Sequence, residues 1–274
     1  MFADLHLHTI FSDGTDTPLE LCNLAKSCDI EVISITDHDT INGYNALKNE
    51  QIPAGIKIIP GIEISTEVNR KMLHILGYYI DIFDERLDQF INDISTEKTE
   101  ATKLNFENAC AKNVISYSWE RVLELNPGQR RISGPQIVKA MKIDRYEVPG
   151  MSSWDMFHKY FWPENDNYIS HQTFTAYDAI DIIKKVGGIP VIAHPKSIKN
   201  DNIVLDLILY GAQGIEVYHP IHTSEDTLKY LQMAENEKIY ITGGTDWHGK
   251  NNRKEVSHFA MCGLKSNDYP ILKM

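Results

Sequence analysis

A chain of 274 residues with 42% hydrophobic and 24% charged side chains can bury a sizeable core, which leaves room for one large α/β domain or a medium domain carrying an insertion. The formal net charge of −11 argues against a broad grip on a nucleic-acid backbone, so no duplex footprint is expected; a small phosphorylated partner stays open, because carboxylates that hold cations form a locally cationic site. No apolar run nears the ~20 residues of a membrane span, no signal peptide fits ahead of the first strand, and Cys22, Cys28, Cys110 and Cys262 show neither C-x-x-C nor zinc-ribbon spacing, so a cytoplasmic location with free thiols is expected.

Residues 2–8 read as a strand ending in polar residues. Within it His6 and His8, two apart, share one face, while Leu5 and Leu7 take the other. "TPLELCNLAKSCD" starts a helix: Thr17 can cap it, Pro18 suits its first position, and Glu20 completes a capping box. "EVISITDHD" is a β-branched run that breaks at Asp37, and a short helix follows over about 42–50. "IKIIPGIEISTEV" and "MLHILGYYI" are two further strands. Over 84–165 the strand signal stops. A long helical pattern is followed by "SWERVLEL", "GPQIVKAM" and "SSWDMFHKYF", punctuated by Gly and Pro. Alternation resumes with "TAYDAIDIIKKVGG", a helix capped by Thr175, then "IPVIAHP", a helix, "GIEVYH", a helix, and "IYITGGTDWHG". Strands alternating with helices imply a mostly parallel sheet, open or closed. The expected division is therefore a barrel domain over 1–83 and 166–274 with an inserted helical cap over 84–165.

Eight of the eleven histidines, namely His6, His8, His38, His74, His194, His219, His222 and His248, fall within or just past these strands. In α/β folds the carboxyl ends of the strands form the active site. Taken singly, His74 reads as a core residue and Asp37-His38 as a turn. Seven strand ends that all offer nitrogen or oxygen donors read instead as a metal site. The donors are imidazole and carboxylate without thiolate, which favours manganese, iron or zinc. A carboxylate bridging two such ions at about 3.5–4 Å ionises a water held between them, and that hydroxide is the expected nucleophile.

The motifs "DLHLHTIFSDG", "SITDHDT", "IIPGIEIS" with "LHILGY", "GGIPVIAHP" and "ITGGTDWHG" resemble those of the PHP (polymerase and histidinol phosphatase) family of metal-dependent phosphoesterases. The resemblance spans nearly the whole chain and is closest to the bacterial branch acting on nucleotides and RNA ends. It implies a distorted (β/α)7 barrel with an inserted helical cap, and three divalent ions. His6, His8, Glu63 and Asp246 would hold the first; Glu63, His74 and His194 the second; Asp13, His38 and His248 the third. Asp4, Asp37 and Asp39 are expected to support ligands rather than to bind metal.

On the substrate side, the resemblance gives His219 a catalytic role as general acid and puts His222 near a phosphate, whereas a solvent-facing turn is the plain alternative for "YHPIH". Lys196 is a further candidate for phosphate. Relatives often open a cap helix with Arg-Pro-His; here Gly134 and Gln136 stand at the arginine and histidine positions, and Arg130 and Arg131 just upstream are the candidate replacements. Helical spacing assigns Trp154, Phe157, Tyr160 and Phe161 to the cap core, with a base-stacking shelf as the alternative, while His158, His171 and His258 have no assigned role. The expected activity is hydrolysis of phosphate monoesters of small nucleotides, such as a nucleoside 3′,5′-bisphosphate, or of short RNA ends. A histidinol-phosphate-type phosphatase, a non-catalytic metal-binding module and an amidohydrolase are the alternatives. Oligomeric state is not legible.

Overall fold

A computed structural model describes residues 2–68, 71–169, 174–250, 256 and 258–274; His171 lies outside them. The amino-terminal half runs β1 (Ala3–Leu7), α1 (Pro18–Ser27), β2 (Val32–Ile35), α2 (Asn42–Leu47), β3 (Lys57–Ile58), β4 (Gly61–Val68) and β5 (Lys71–Tyr78). Four helices follow: α3 (Glu85–Ala111), α4 (Trp119–Glu124), α5 (Gly134–Ile143) and α6 (Ser153–Tyr160). Then come α7 (Ala176–Lys185), β6 (Ile189–Ile192), α8 (Asp201–Tyr210), β7 (Gly214–Tyr218), α9 (Ser224–Glu237) and β8 (Tyr240–Gly243).

Local chemistry sets many of these boundaries. Thr17 Oγ1 accepts the Glu20 N–H while Glu20 accepts the Thr17 N–H, so α1 starts on the expected capping box. Thr175 and Asp178 do the same for α7. The segment expected as one strand over 56–68 is two, because Pro60, which has no N–H to donate, separates β3 from β4. The fold thus has eight strands among the described residues, where the resemblance implied seven. α2 is shorter than expected; no side chain caps its start.

The strands form two sheets. β1, β2 and β3 pair in parallel, and β4-β5-β6-β7-β8 make a mixed sheet in which β4, β5 and β6 are antiparallel neighbours and β6, β7 and β8 are parallel. The two sheets do not close into one hydrogen-bonded ring. Isolated parallel bridges join them instead, Leu7 to Trp247 and His38 to Glu63. Leu7, Leu21, Ile35, Ile64, Ile75, Ile183, Ile192 and Ile215 belong to the largest apolar cluster.

The helices α3–α6 carry a core of their own, built from Phe106, Val122, Ile137, Met141, Met156 and Tyr160. Phe157 and Tyr160 are buried as expected, but Trp154 is 40% exposed, with the Lys142 ammonium 5.3 Å from its ring centre. A Cβ on Gly134 would sit 2.2 Å from the Phe157 ring, so no larger side chain fits at the start of α5.

Candidate metal centre

The parallel strands end on a common rim. His8 follows β1, Asp37, His38 and Asp39 follow β2, His194 follows β6, His219 follows β7, and Asp246 and His248 follow β8. On the antiparallel pair, Ser65 lies opposite His74 in register, and Glu63, two residues from Ser65, shares that face. Three rim residues, Asp39, His194 and Asp246, hold left-handed backbone at φ 52°, 26° and 52°. Such strain persists where surrounding contacts over-determine it, and it clusters at functional sites. Gly244 is required by close approach: a Cβ there would meet His6 at 2.4 Å.

Glu63 is the hub. Its Oε2 lies 3.2 Å from His6 Nε2, 3.1 Å from His8 Nε2 and 3.2 Å from His38 Nδ1. Its Oε1 lies 2.8 Å from His74 Nδ1 and 3.1 Å from His194 Nε2. Asp246 Oδ1 is 3.1 Å from His8 Nε2, and Asp13 Oδ1 is 3.1 Å from His248 Nε2. Despite these distances, His6 Nε2, both ring nitrogens of His8, Glu63 Oε2 and His74 Nε2 are buried without a properly aligned hydrogen bond among the described residues. Atoms so placed converge on points between them rather than on each other, and imidazole with carboxylate is a donor set for divalent transition metals. The residues therefore fit the expected ions.

All nine sequence-expected ligands come together. Donor atoms of His6, His8, Glu63 and Asp246 lie within 4.8 Å of one another, as do those of His8, Asp13, His38 and His248, and those of His38, Glu63 and His74. The first group repeats the expected set. The second adds His8 to the expected Asp13, His38 and His248, and the third has His38 beside Glu63 and His74, with His194 reaching the same Glu63 oxygen as His74.

Charge follows from this crowding. Burial opposes ionisation of Glu63, yet His38, His6 and His74 outweigh it and hold the carboxyl well below its usual range. Asp13 is likewise held low against burial, by His248 and His38.

A second layer fixes the ligands. Asp37 accepts the Thr9 N–H at 2.7 Å, the Thr9 hydroxyl at 2.6 Å and the Ser12 hydroxyl at 2.6 Å, pinning the loop that carries Asp13. Asp4 accepts from the Thr245 N–H and hydroxyl, and Asp39 accepts the Ser65 N–H. All three thus accept hydrogen bonds from backbone or hydroxyl groups of the rim. The Ser197 hydroxyl donates to the His194 carbonyl at 2.9 Å and stands 3.0 Å from His194 Nδ1, leaving Nε2 toward Glu63. Sequence reasoning missed Glu216, which is fully buried in β7 and 2.9 Å from His6 Nδ1. A charged residue inside an otherwise apolar parallel strand was the available signal.

The substrate-side candidates scatter. Arg131 reaches the rim, donating to Asp39 through a short contact and to Ser65 Oγ at 3.1 Å. Lys98 of α3, also unforeseen, donates to Asp39 at 2.9 Å and to the Ser65 carbonyl. Asp39 is held at about 2: burial opposes this, but Lys98 and Arg131 prevail. Lys98 itself is down at about 8, because burial of the ammonium outweighs Asp39 and Arg131 repels it. Arg130 turns to Asp88 at 2.5 Å, and Lys196 to Asp226 at 2.7 Å; the expectation that either reaches phosphate has no contact at the rim to support it. Gln136 donates to the Ser12 carbonyl at 2.7 Å and Gln129 to the Ile10 carbonyl at 2.8 Å, tying α5 and the connection before it to the Asp13 loop.

His219 is buried, with Nδ1 accepting the Ile221 N–H at 3.2 Å and Nε2 3.4 Å from Asp246 Oδ2. Burial lowers its pKa, against Glu216 and Asp246, which raise it. His222 donates from Nδ1 to the Val217 carbonyl at 2.9 Å and is held neutral by burial at about 4.

A family profile described as "PHP domain" matches residues 4–147. The chain is 28% identical to a 3′,5′-nucleoside bisphosphate phosphatase of Chromobacterium violaceum, over 93% of this chain and 90% of that one. It is 28% identical to a phosphoribosyl 1,2-cyclic phosphate 1,2-diphosphodiesterase of Eggerthella lenta, over 92% and 96%. It is 29% identical to the 5′-3′ exoribonuclease Rnm of Salmonella typhimurium, over 89% and 84%. A solved structure from Bifidobacterium adolescentis, described as a metal-dependent phosphoesterase, superposes with a TM-score of 0.78 at 27% identity, covering 92% of this chain and 89% of that one. Among the described residues no helix is long and apolar enough to cross a membrane.

Proposed function

The chain belongs to the PHP domain family of metal-dependent phosphoesterases and is a hydrolase, and from that premise we propose that it removes phosphate from monoesters of small nucleotides, such as a nucleoside 3′,5′-bisphosphate, or from short RNA ends. The observation that carries the reading is the ring of five imidazoles within about 3.2 Å of the two Glu63 oxygens, backed by Asp13 and Asp246. We read the two sheets as arcs of a distorted barrel that turns its strand ends to this ring, and the helices of 84–165 as its cap.

His6, His8, Asp13, His38, Glu63, His74, His194, Asp246 and His248 would hold up to three divalent ions. When bound, such ions supply Lewis acidity toward phosphoryl oxygens and an ionised water at neutral pH. The chain's own residues do the rest. Glu63 bridges two groups of ligands and fixes their separation. Arg131 lies one hydroxyl away from His38, through Ser65 Oγ, and its Nε is buried without a hydrogen-bond partner among the described residues. Its guanidinium is the group best placed to take a substrate phosphate oxygen from the cap side. His219 Nδ1 accepts the Ile221 N–H, which leaves Nε2 facing the rim beside Asp246, where it would hand a proton to the leaving oxygen.

Phosphate release is measured over a panel of nucleoside 3′,5′-bisphosphates, 5′-phosphorylated oligoribonucleotides, a ribosyl 1,2-cyclic phosphate, histidinol phosphate and simple amides, with metal analysis of the same sample. Preference for the nucleotides supports the proposal. Turnover of the cyclic diester alone, of histidinol phosphate alone, or of amides alone contradicts it.

A further inference from the structure

Glu216 has no role in the metal centre as expected from sequence, yet it is wholly buried beside it. It sits in the middle of β7, between Ile215 and Val217, which pack into the largest apolar cluster. Alternation turns the Glu216 side chain to the opposite face. Burying a carboxylate there is costly unless both oxygens are used. Both are. Oε1 lies 2.9 Å from His6 Nδ1, and Oε2 accepts the backbone N–H of His194 at 2.7 Å.

We propose that Glu216 is a positioning residue that aims two metal-binding imidazoles at once, the His6 ring directly and the His194 ring through its backbone. The inference rests on the reading that the Glu63 ring holds divalent ions. A carboxylate only accepts, so His6 carries its proton on Nδ1 and presents the bare Nε2, which lies 3.2 Å from Glu63 Oε2 and 3.5 Å from Asp246 Oδ1. At His194 the backbone is left-handed at φ 26° and ψ 61°, outside the ordinary basins. The bond to Glu216 fixes the direction of that N–H, Ser197 fixes Nδ1, and Nε2 then stands 3.1 Å from Glu63 Oε1. His6 approaches one oxygen of Glu63 and His194 the other, so a single side chain sets the placement of both.

The competing role is that of a ligand, since donor atoms of His6, Glu216 and His219 lie within 4.8 Å of one another. Occupancy speaks against it. Both Glu216 oxygens already face N–H groups, His219 Nδ1 already accepts the Ile221 N–H, and His6 would have to surrender the orientation that serves Glu63 and Asp246.

The test compares wild-type protein with Glu216→Gln, Glu216→Asp, Thr242→Val and Glu63→Gln. Thr242 pairs with Glu216 in register on β8, so its variant disturbs the same layer without touching either histidine contact. Metal-stripped samples are titrated with manganese, with free ion read by electron paramagnetic resonance, and with cobalt, read by visible absorption. Glu216→Gln is expected to weaken ion binding by about 10–100-fold with the number of ions unchanged and the cobalt bands shifted, because an amide cannot accept both N–H groups. Glu216→Asp, one methylene short of both, is expected to weaken binding in the same direction and serves alone if the glutamine variant does not fold. Thr242→Val should stay within about twofold of wild type in affinity. Wild-type affinity and cobalt spectrum in both Glu216 variants overturn the inference. So does loss of one whole ion with the others unaffected, which makes Glu216 a ligand. A wild-type chain that takes up no ion at all removes the reading beneath the inference, and is told apart by that result.

Discussion

At the strand ends, six imidazoles and three carboxylates stand within a few ångströms of one another, and several are held from behind: His6 by Glu216, His194 by Ser197, His248 by the Asp246 carbonyl, and the loop of Asp13 by Asp37. The proposed cap reaches the same rim through a handful of side chains, Lys98 on α3, Gln136 on α5, and Gln129 and Arg131 on the connection between α4 and α5, while its helices have a separate apolar core. The rim is thus over-determined and the cap is tied to it at points. Chemistry shared across a family of reactions belongs in the first kind of structure, and choice of substrate in the second.

The contrast is broken most directly at Glu63. Glu63→Gln is expected to lower phosphate release from p-nitrophenyl phosphate and from every nucleotide in the panel by on the order of 10³-fold, since it touches both halves of the ring. Loss on one substrate class alone would shift the weight from rim to cap. Next comes the seam between the two regions. Lys98→Met leaves the buried Asp39 with Arg131 as its remaining cation and should lower unfolding free energy by about 3 kcal/mol, read from the urea midpoint. A midpoint equal to wild type would mean that the seam does not hold the cap.

Smaller and more selective, Arg131→Ala should raise KM for a nucleotide by about tenfold and lower kcat less, while Arg130→Ala, whose partner Asp88 is exposed, should change either by under about twofold. Equal effects of the two would erase the distinction drawn from their contacts. Smallest is an acid effect. Asp39 titrates at about 2 in the folded chain against an ordinary 3.8, so its ionised form supports the fold fully above about pH 4. That support, up to about 2 kcal/mol, is lost as pH falls toward 2. Wild type should show this limb in acid unfolding, and Asp39→Asn should lack it.

The rim was legible because strand ends are legible. A β-branched run that stops at "TDHD", "AHP" or "TDWHG" announces both the strand and the side chains at its tip, and the parallel order brings the tips together. The split of 56–68 into β3 and β4 was less legible, since Pro60 interrupts a continuous apolar run without changing its composition. Glu216 escaped because one acid in "GIEVYH" has no neighbour in sequence to suggest a partner; His6, 210 residues away, supplies it. Arg130 and Arg131 are adjacent, and sequence gave no reason to send one to Asp88 and the other to Asp39. Lys196 follows His194 by two residues, but the left-handed turn at His194 and the 3-10 turn after it carry the lysine to Asp226 on α9. Trp154 keeps helical spacing with Phe157 and still lies 40% exposed, because periodicity places a face and does not say how far the core extends.

The most direct test is anomalous diffraction from crystals grown with manganese. Peaks within coordination distance of Glu63, one set flanked by His6, His8 and Asp246 and another by His74 and His194, are what the arrangement predicts. A fully manganese-equilibrated crystal with no peak beside Glu63 would contradict it.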